Sequence, residues 1–227
     1  MPISDHHYRS HDLTIGYKLF LPEKDTGRDN AAPALPLILF LHGIKMRGND
    51  LSVLEDYGLI RVAKQNKRFP YVIIAPQCPA NRFWPDIRGH LLELVEQIVQ
   101  AHAIDRNRIY VTGFSMGGEG TWDLAANARH VFAAAAPISG GYPPGAADRL
   151  VAMPVWAFHG ALDDVVPISD TEAIINAIKS LGGEPRFTTY PDLDHGHIVM
   201  FKTYENPELY AWFEQNRLDA RGVASGA

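Results

Sequence analysis

The 227-residue chain has little of several things that would direct its reading elsewhere. It carries one cysteine, Cys78, so no internal disulfide forms; this fits a reducing compartment without requiring one. Its apolar runs, such as "ALPLILFL" and "FAAAAPI", are far shorter than a membrane span and suit buried strands, so no membrane insertion is expected. There is no basic block, and the net charge of −5 argues against nucleic acid as a partner. The first residues, "MPISDHHYRSHDL", lack the apolar core of a signal peptide, which gives the expectation of a cytoplasmic protein. A domain excised from a longer secreted chain would read the same way.

What is present is ordinary for a globular protein: 46% hydrophobic and 21% charged residues, enough for one domain with a sizeable core. The expected domain spans 1–227, with its core at about 13–217 and a frayed tail at 218–227. Short apolar runs at 13–22, 35–43, 69–77, 108–114, 131–139, 153–160 and 185–191 read as strands. Residues 23–34 read as a polar loop. Helical spacing appears at 51–66, at 87–103 with apolar positions 91, 94, 95, 98 and 99, and at 115–128, 169–181 and 206–217. Asn206 followed by Pro207 suits an N-cap and first helical position. Strands alternating with helices predict an α/β fold, a mostly parallel central sheet with helices on both faces. Functional loops of such folds lie at the carboxyl ends of the strands.

The most informative stretch is "VTGFSMGGEGTW", residues 111–122. A phosphate-binding Walker loop needs Lys-Ser/Thr after its second glycine, and a dinucleotide fingerprint needs G-x-G-x-x-G; neither is present. What is present is G-x-S-x-G from Gly113 to Gly117, the pattern of a nucleophile elbow. A serine in a tight strand-to-helix turn needs small neighbours two residues before and after it. The alternative is a glycine-rich turn with an N-capping serine. An attacking Ser115 also needs a base, and the base an orienting acid, in the chain order Ser, Asp/Glu, His. "ALDDVVP" follows one later strand and offers Asp163 and Asp164; "DLDHGH" follows the next and offers His195 and His197. An oxyanion hole needs two backbone N–H groups, expected from Met116 and from Ile44 in "FLHGIKMRGND". His42, before that turn, is expected to be a buried structural residue.

Together, "LHGIKMRGND", "IIAPQCP", "RIYVTGFSMGGEGTWDLA", "FAAAAPISGG", "FHGALDDVVP" and "YPDLDH" resemble the α/β-hydrolase superfamily. More narrowly they resemble its phospholipase/carboxylesterase-like small esterases, whose relatives include feruloyl-esterase-like proteins and peptidases. The likeness runs from about residue 13 to 213. It implies Asp163 as the acid, from H-G-x-x-D-x-x-V-P, and His195 as the base, from Y-P-x-x-x-H. Asp164 then becomes a solvated neighbour and His197 a residue of the pocket rim or surface. The implied function is a serine carboxylesterase acting on a small-molecule ester, without a cofactor.

Asp192, Asp194, His195 and His197 lack further ligands at recognisable metal spacing, so no metal is expected. Cys78 has no elbow around it and reads as an incidental thiol. Only "YPPGAADRLVA" separates "FAAAAPISGG" from the next strand, which is a loop and not a lid, so short, water-soluble esters are expected. Trp84 and Phe83, after a strand end, are candidates for a pocket wall, and Trp122 for the core. A feruloyl or acetyl-xylan-type carbohydrate esterase and a peptidase or amidase remain open alternatives. A non-catalytic binding module is disfavoured, because Ser, Asp and His are all present.

Overall fold

The apolar runs become strands and the 3.6-periodic stretches become helices. The strands are β1 (Ile3–Arg9), β2 (Thr14–Phe20), β3 (Leu35–Leu41), β4 (Val72–Pro76), β5 (Ile104–Phe114), β6 (Ala134–Ile138), β7 (Trp156–Gly160) and β8 (Arg186–Tyr190). The helices are α1 (Gly58–Gln65), α2 (Arg88–Ala101), α3 (Met116–Asn127), α4 (Ile168–Ser180), α5 (His197–Tyr204) and α6 (Pro207–Gln215). The computed structural model describes residues 3–22, 33–66 and 69–219; most of the loop expected at 23–34 and of the tail expected at 218–227 lies outside the described residues.

All eight strands join one sheet, in the order β1-β2-β4-β3-β5-β6-β7-β8. β1 and β2 pair antiparallel, as do β2 and β4; every other pairing is parallel. This is the expected α/β architecture, with helices on both faces. Alternate residues of β3 supply the two layers of core. Leu37, Leu39 and Leu41 pack with Leu91 and Leu94 of α2, Trp122 of α3 and Ile174 of α4. Ile38 and Phe40 pack with Leu59 of α1, Val199 of α5 and Phe213 of α6. No helix among the described residues is long and apolar enough to cross a membrane.

The structure departs from the sequence reading in three places. "ISDHHYR", too polar to read as a strand, forms the edge strand β1, and β2 is correspondingly more buried than its alternation suggested. There, buried Lys18 pairs with Asp5 at 2.7 Å. The helix expected over 51–66 is broken into a 3-10 turn (Leu51–Leu54) and α1. The break falls at Gly58, whose φ of +53° is a left-handed conformation and which has the Phe40 ring where a side chain would stand. Finally, α5 follows directly after the loop that carries His195, in a stretch with no helical reading.

At the last helix, Asn206 accepts a hydrogen bond from Glu208 N at 3.0 Å, as its cap position required. Asn206→Ala should therefore cost about 1 kcal/mol. Thermal unfolding should register this as a midpoint lower by roughly 2–4 °C.

Candidate active site

β5 ends at Phe114 and α3 begins at Met116, so Ser115 alone makes the turn between them. Its φ of 58° is rare for a residue with a side chain, a strain of roughly 1–3 kcal/mol. Backbone hydrogen bonds hold it there: Ser115 N donates to Ile138 O at 2.9 Å, and Glu119 N donates to Ser115 O at 3.0 Å. The flanking glycines are steric necessities. A Cβ on Gly113 would lie 2.4 Å from Gly117 O, and one on Gly117 would lie 2.0 Å from Leu41 O. The serine side chain does not cap the helix, which removes the bland reading of this turn.

Instead, Ser115 Oγ lies 2.8 Å from His195 Nε2, and His195 Nδ1 lies 2.7 Å from Asp163 Oδ2. The three groups come from the loops after β5, β7 and β8. An ionised Asp163 accepts from Nδ1–H, which leaves the Nε2 lone pair facing the serine hydroxyl. Phe114 stacks on the His195 ring at 5.0 Å between centroids. The Asp163 side chain is fully buried. Burial alone would raise its pKa, but the His195 hydrogen bond and the N–H groups of Val166 (2.8 Å) and Val165 (3.1 Å) on Oδ1 outweigh it, holding the carboxyl below its ordinary value.

Asp164 makes no such contacts. His197 is exposed at the start of α5, edge-on to Tyr57 at 5.5 Å, as a rim residue would be. Met116 is the first residue of α3, so its N–H has no acceptor within the helix. Ile44 opens a short 3-10 turn (Ile44–Met46) on a loop that lies against the elbow. A Cβ on Gly43 would stand 3.5 Å from Phe114 O.

His42 is buried as expected. Its Nδ1 lies 2.7 Å from Gly43 O, and its Nε2 accepts from Cys78 N at 3.0 Å. The Trp84 assignment requires correction. Trp84 is only 1% exposed, because its indole N–H donates to His42 O at 3.0 Å and its ring packs against His42 and Gly120. It braces the loop bearing Ile44 and is not an accessible wall. Phe83 is the exposed member of that pair, with Arg47 over its ring. Trp122 is core. Burial pushes the Cys78 thiol up to about 12, and its S–H donates to Arg82 O. It is therefore no nucleophile at neutral pH.

A cavity of about 640 Å³ is lined by Glu119, one turn after Ser115, with Asp170, Tyr142, Pro143, Pro144 and Val166. Burial, and then Asp170, raise the pKa of Glu119. A larger cavity of about 820 Å³ lies at the opposite, amino-terminal ends of the strands, by Leu35, Tyr71 and Arg108, far from these groups. Among the described residues no three His, Cys, Asp or Glu side chains converge as a metal site requires.

Sheet order, elbow and strand-end loops together define the α/β-hydrolase fold. The model of the dienelactone hydrolase family matches residues 79–211, and the chain belongs to that family. It is 26% identical to the bifunctional acetylxylan esterase/xylanase of Neocallimastix patriciarum over 216 residues, 88% of this chain and 31% of that protein. It is 26% identical to the probable feruloyl esterase C of Aspergillus oryzae over 154 residues, 63% of this chain and 55% of that protein. The chain thus spans about a third and about half of the lengths of these two relatives. A thermostable esterase of known structure superposes with a TM-score of 0.79 at 29% identity, over 95% of this chain and 63% of the other.

Burial holds His42 neutral in the fold, down to a pKa of about 4, whereas an unfolded histidine takes up its proton near 6.5. Between those values the unfolded chain binds more protons, so stability is complete above about pH 6.5 and falls as the pH drops towards 4. His42 alone should account for about 3 kcal/mol of that loss. Urea titrations from pH 4 to 7 should show this slope, flattened in His42→Gln.

Proposed function

We propose that the chain is a serine carboxylesterase that hydrolyses short-chain, water-soluble esters through an acyl-enzyme. The observation that carries this reading is the unbroken hydrogen-bonded line from Ser115 Oγ through His195 to Asp163. Ser115 Oγ attacks the ester carbonyl carbon as its proton passes to His195 Nε2. Asp163 keeps the imidazole in the tautomer with Nδ1–H and stabilises the cation that forms. The N–H groups of Met116 and Ile44 face the oxygen as it becomes negative. Collapse of the tetrahedral adduct breaks the C–O bond, and the alcohol leaves with the proton from His195. Water then attacks the acyl-serine with His195 as base, and the free acid departs.

The short connection between β6 and β7, which holds only a 3-10 turn at Pro144–Arg149, supports an open site suited to small substrates. A carbohydrate ester is the second reading. It is favoured by the names of the relatives and by the cavity lined by Glu119, one turn after Ser115, where the Glu119 and Asp170 carboxyl groups can hydrogen-bond sugar hydroxyls.

Initial rates on p-nitrophenyl acetate, butyrate, octanoate and palmitate should peak at acetate or butyrate. Ser115→Ala should lose at least about 10³-fold of the activity, and Asp163→Asn roughly 10³- to 10⁴-fold. Rates that rise with chain length would overturn the short-chain reading. Activity surviving in Ser115→Ala would overturn the serine mechanism. Release of acetate from acetylated xylan, or of ferulate from its methyl ester, faster than from the p-nitrophenyl series would select the second reading.

A further inference from the structure

His159 lies on β7, four residues before Asp163, and its side chain is completely buried. Its Nε2 lies 3.0 Å from Val166 O and 3.1 Å from Asp163 Oδ2. A carbonyl oxygen only accepts, so Nε2 must carry the hydrogen, which is shared between the carbonyl and the carboxylate. Burial favours the neutral ring, so Nδ1 carries no hydrogen; it lies 2.9 Å from Thr171 Oγ on α4, whose one hydroxyl hydrogen also has Gly140 O within reach at 3.1 Å. With this bond, each lone-pair site of the Asp163 carboxylate has a donor. Val165 N and Val166 N serve Oδ1; His195 Nδ1 and His159 Nε2 serve Oδ2.

We propose that His159 is a positioning residue of the hydrolytic reaction: its Nε2–H fixes the rotation of the Asp163 carboxylate and shares the negative charge that His195 would otherwise face alone. The inference rests on the serine-hydrolase reading given above. Two backbone N–H groups anchor Oδ1, but Oδ2, the oxygen that His195 uses, has His159 as its only other donor among the described residues. The charge shared by His159 is charge withheld from the His195 imidazolium. Removal of the donor therefore makes His195 easier to protonate and displaces the acid limb of the rate profile to higher pH. The groups that act on His195 are Asp163 and Ser115, His159 behind the carboxylate, and Glu119 on α3. Only His159 is altered in the test.

The informative pair is His159→Leu, which keeps bulk without a donor, and His159→Gln, whose amide N–H can reach towards the same oxygen. The kcat/KM–pH profile on p-nitrophenyl acetate is read together with the low-field proton resonance of the His195 Nδ1–H, a signal that needs no substrate. For His159→Leu we expect kcat about tenfold lower with KM within twofold. Its acid limb should rise by roughly half a pH unit or more, and the low-field proton should be shifted or lost. His159→Gln should restore both limb and resonance. A His159→Leu protein with wild-type profile and resonance overturns the proposal, as does equal impairment of both variants with an unmoved acid limb, which would be packing alone. If His159→Leu does not fold, His159→Met, which also keeps bulk without a donor, must move the same limb and resonance or the proposal fails. An inactive wild type that nonetheless gives the resonance would refute the esterase reading and leave the positioning of Asp163 open to the resonance test.

Discussion

The contact of the β3 backbone with the first turn of α3, where Leu41 O lies in the space a Gly117 side chain would fill, is the constraint on which the rest of this end of the molecule depends. It lets the chain reverse within one residue, and so it projects Ser115 out of the sheet instead of along it. It also brings the loop after β3 against the elbow, with Ile44 at its tip. Trp84 and His42 hold that loop from behind through the indole N–H and the Cys78 amide. Strain at one serine is thereby balanced by a dense set of bonds around it.

Electrostatics at the site follow from how each buried polar group is satisfied. Asp163 stays charged although it is dry, because hydrogen-bond donors surround both of its oxygens. His42 stays neutral between the Gly43 carbonyl and the Cys78 N–H, and burial penalises the cation of both His42 and His159. Two uncharged imidazoles thus serve as rigid polar struts, while the third, His195, lies where it can meet solvent and substrate. Glu119, whose ionisation burial disfavours, faces the adjoining cavity rather than the hydrogen-bonded line.

Much of this was legible in the sequence, because the features concerned are local. The glycine spacing around Ser115 encodes a backbone approach, and the apolar runs of β3 to β7 encode strands covered on both faces. The cap of α6 was readable for the same reason. What escaped was set by distant partners. β1 has too few apolar residues to be recognised, since it needs only one neighbour and one covered face. The break before α1 is imposed by the Phe40 ring, far away in sequence. Trp84 lies after a strand end like a pocket residue, yet its bond to His42 turns it inward. His159 read as one more strand position, while Asp163 was offered by its place after a strand and selected over Asp164 through the motif. The signal lay in that motif, since its leading histidine is four residues from the acid on the same stretch of chain.

The two outer members of the Ser115–His195 hydrogen bond are 80 residues apart along the chain, and the histidine is carried beyond β8, a strand at the edge of the sheet that pairs with β7 alone. A nascent polypeptide still inside the ribosome beyond residue 185 holds Ser115 and Asp163 but not yet His195, so the hydrogen-bonded line closes only once β8 and the loop after it have joined the fold.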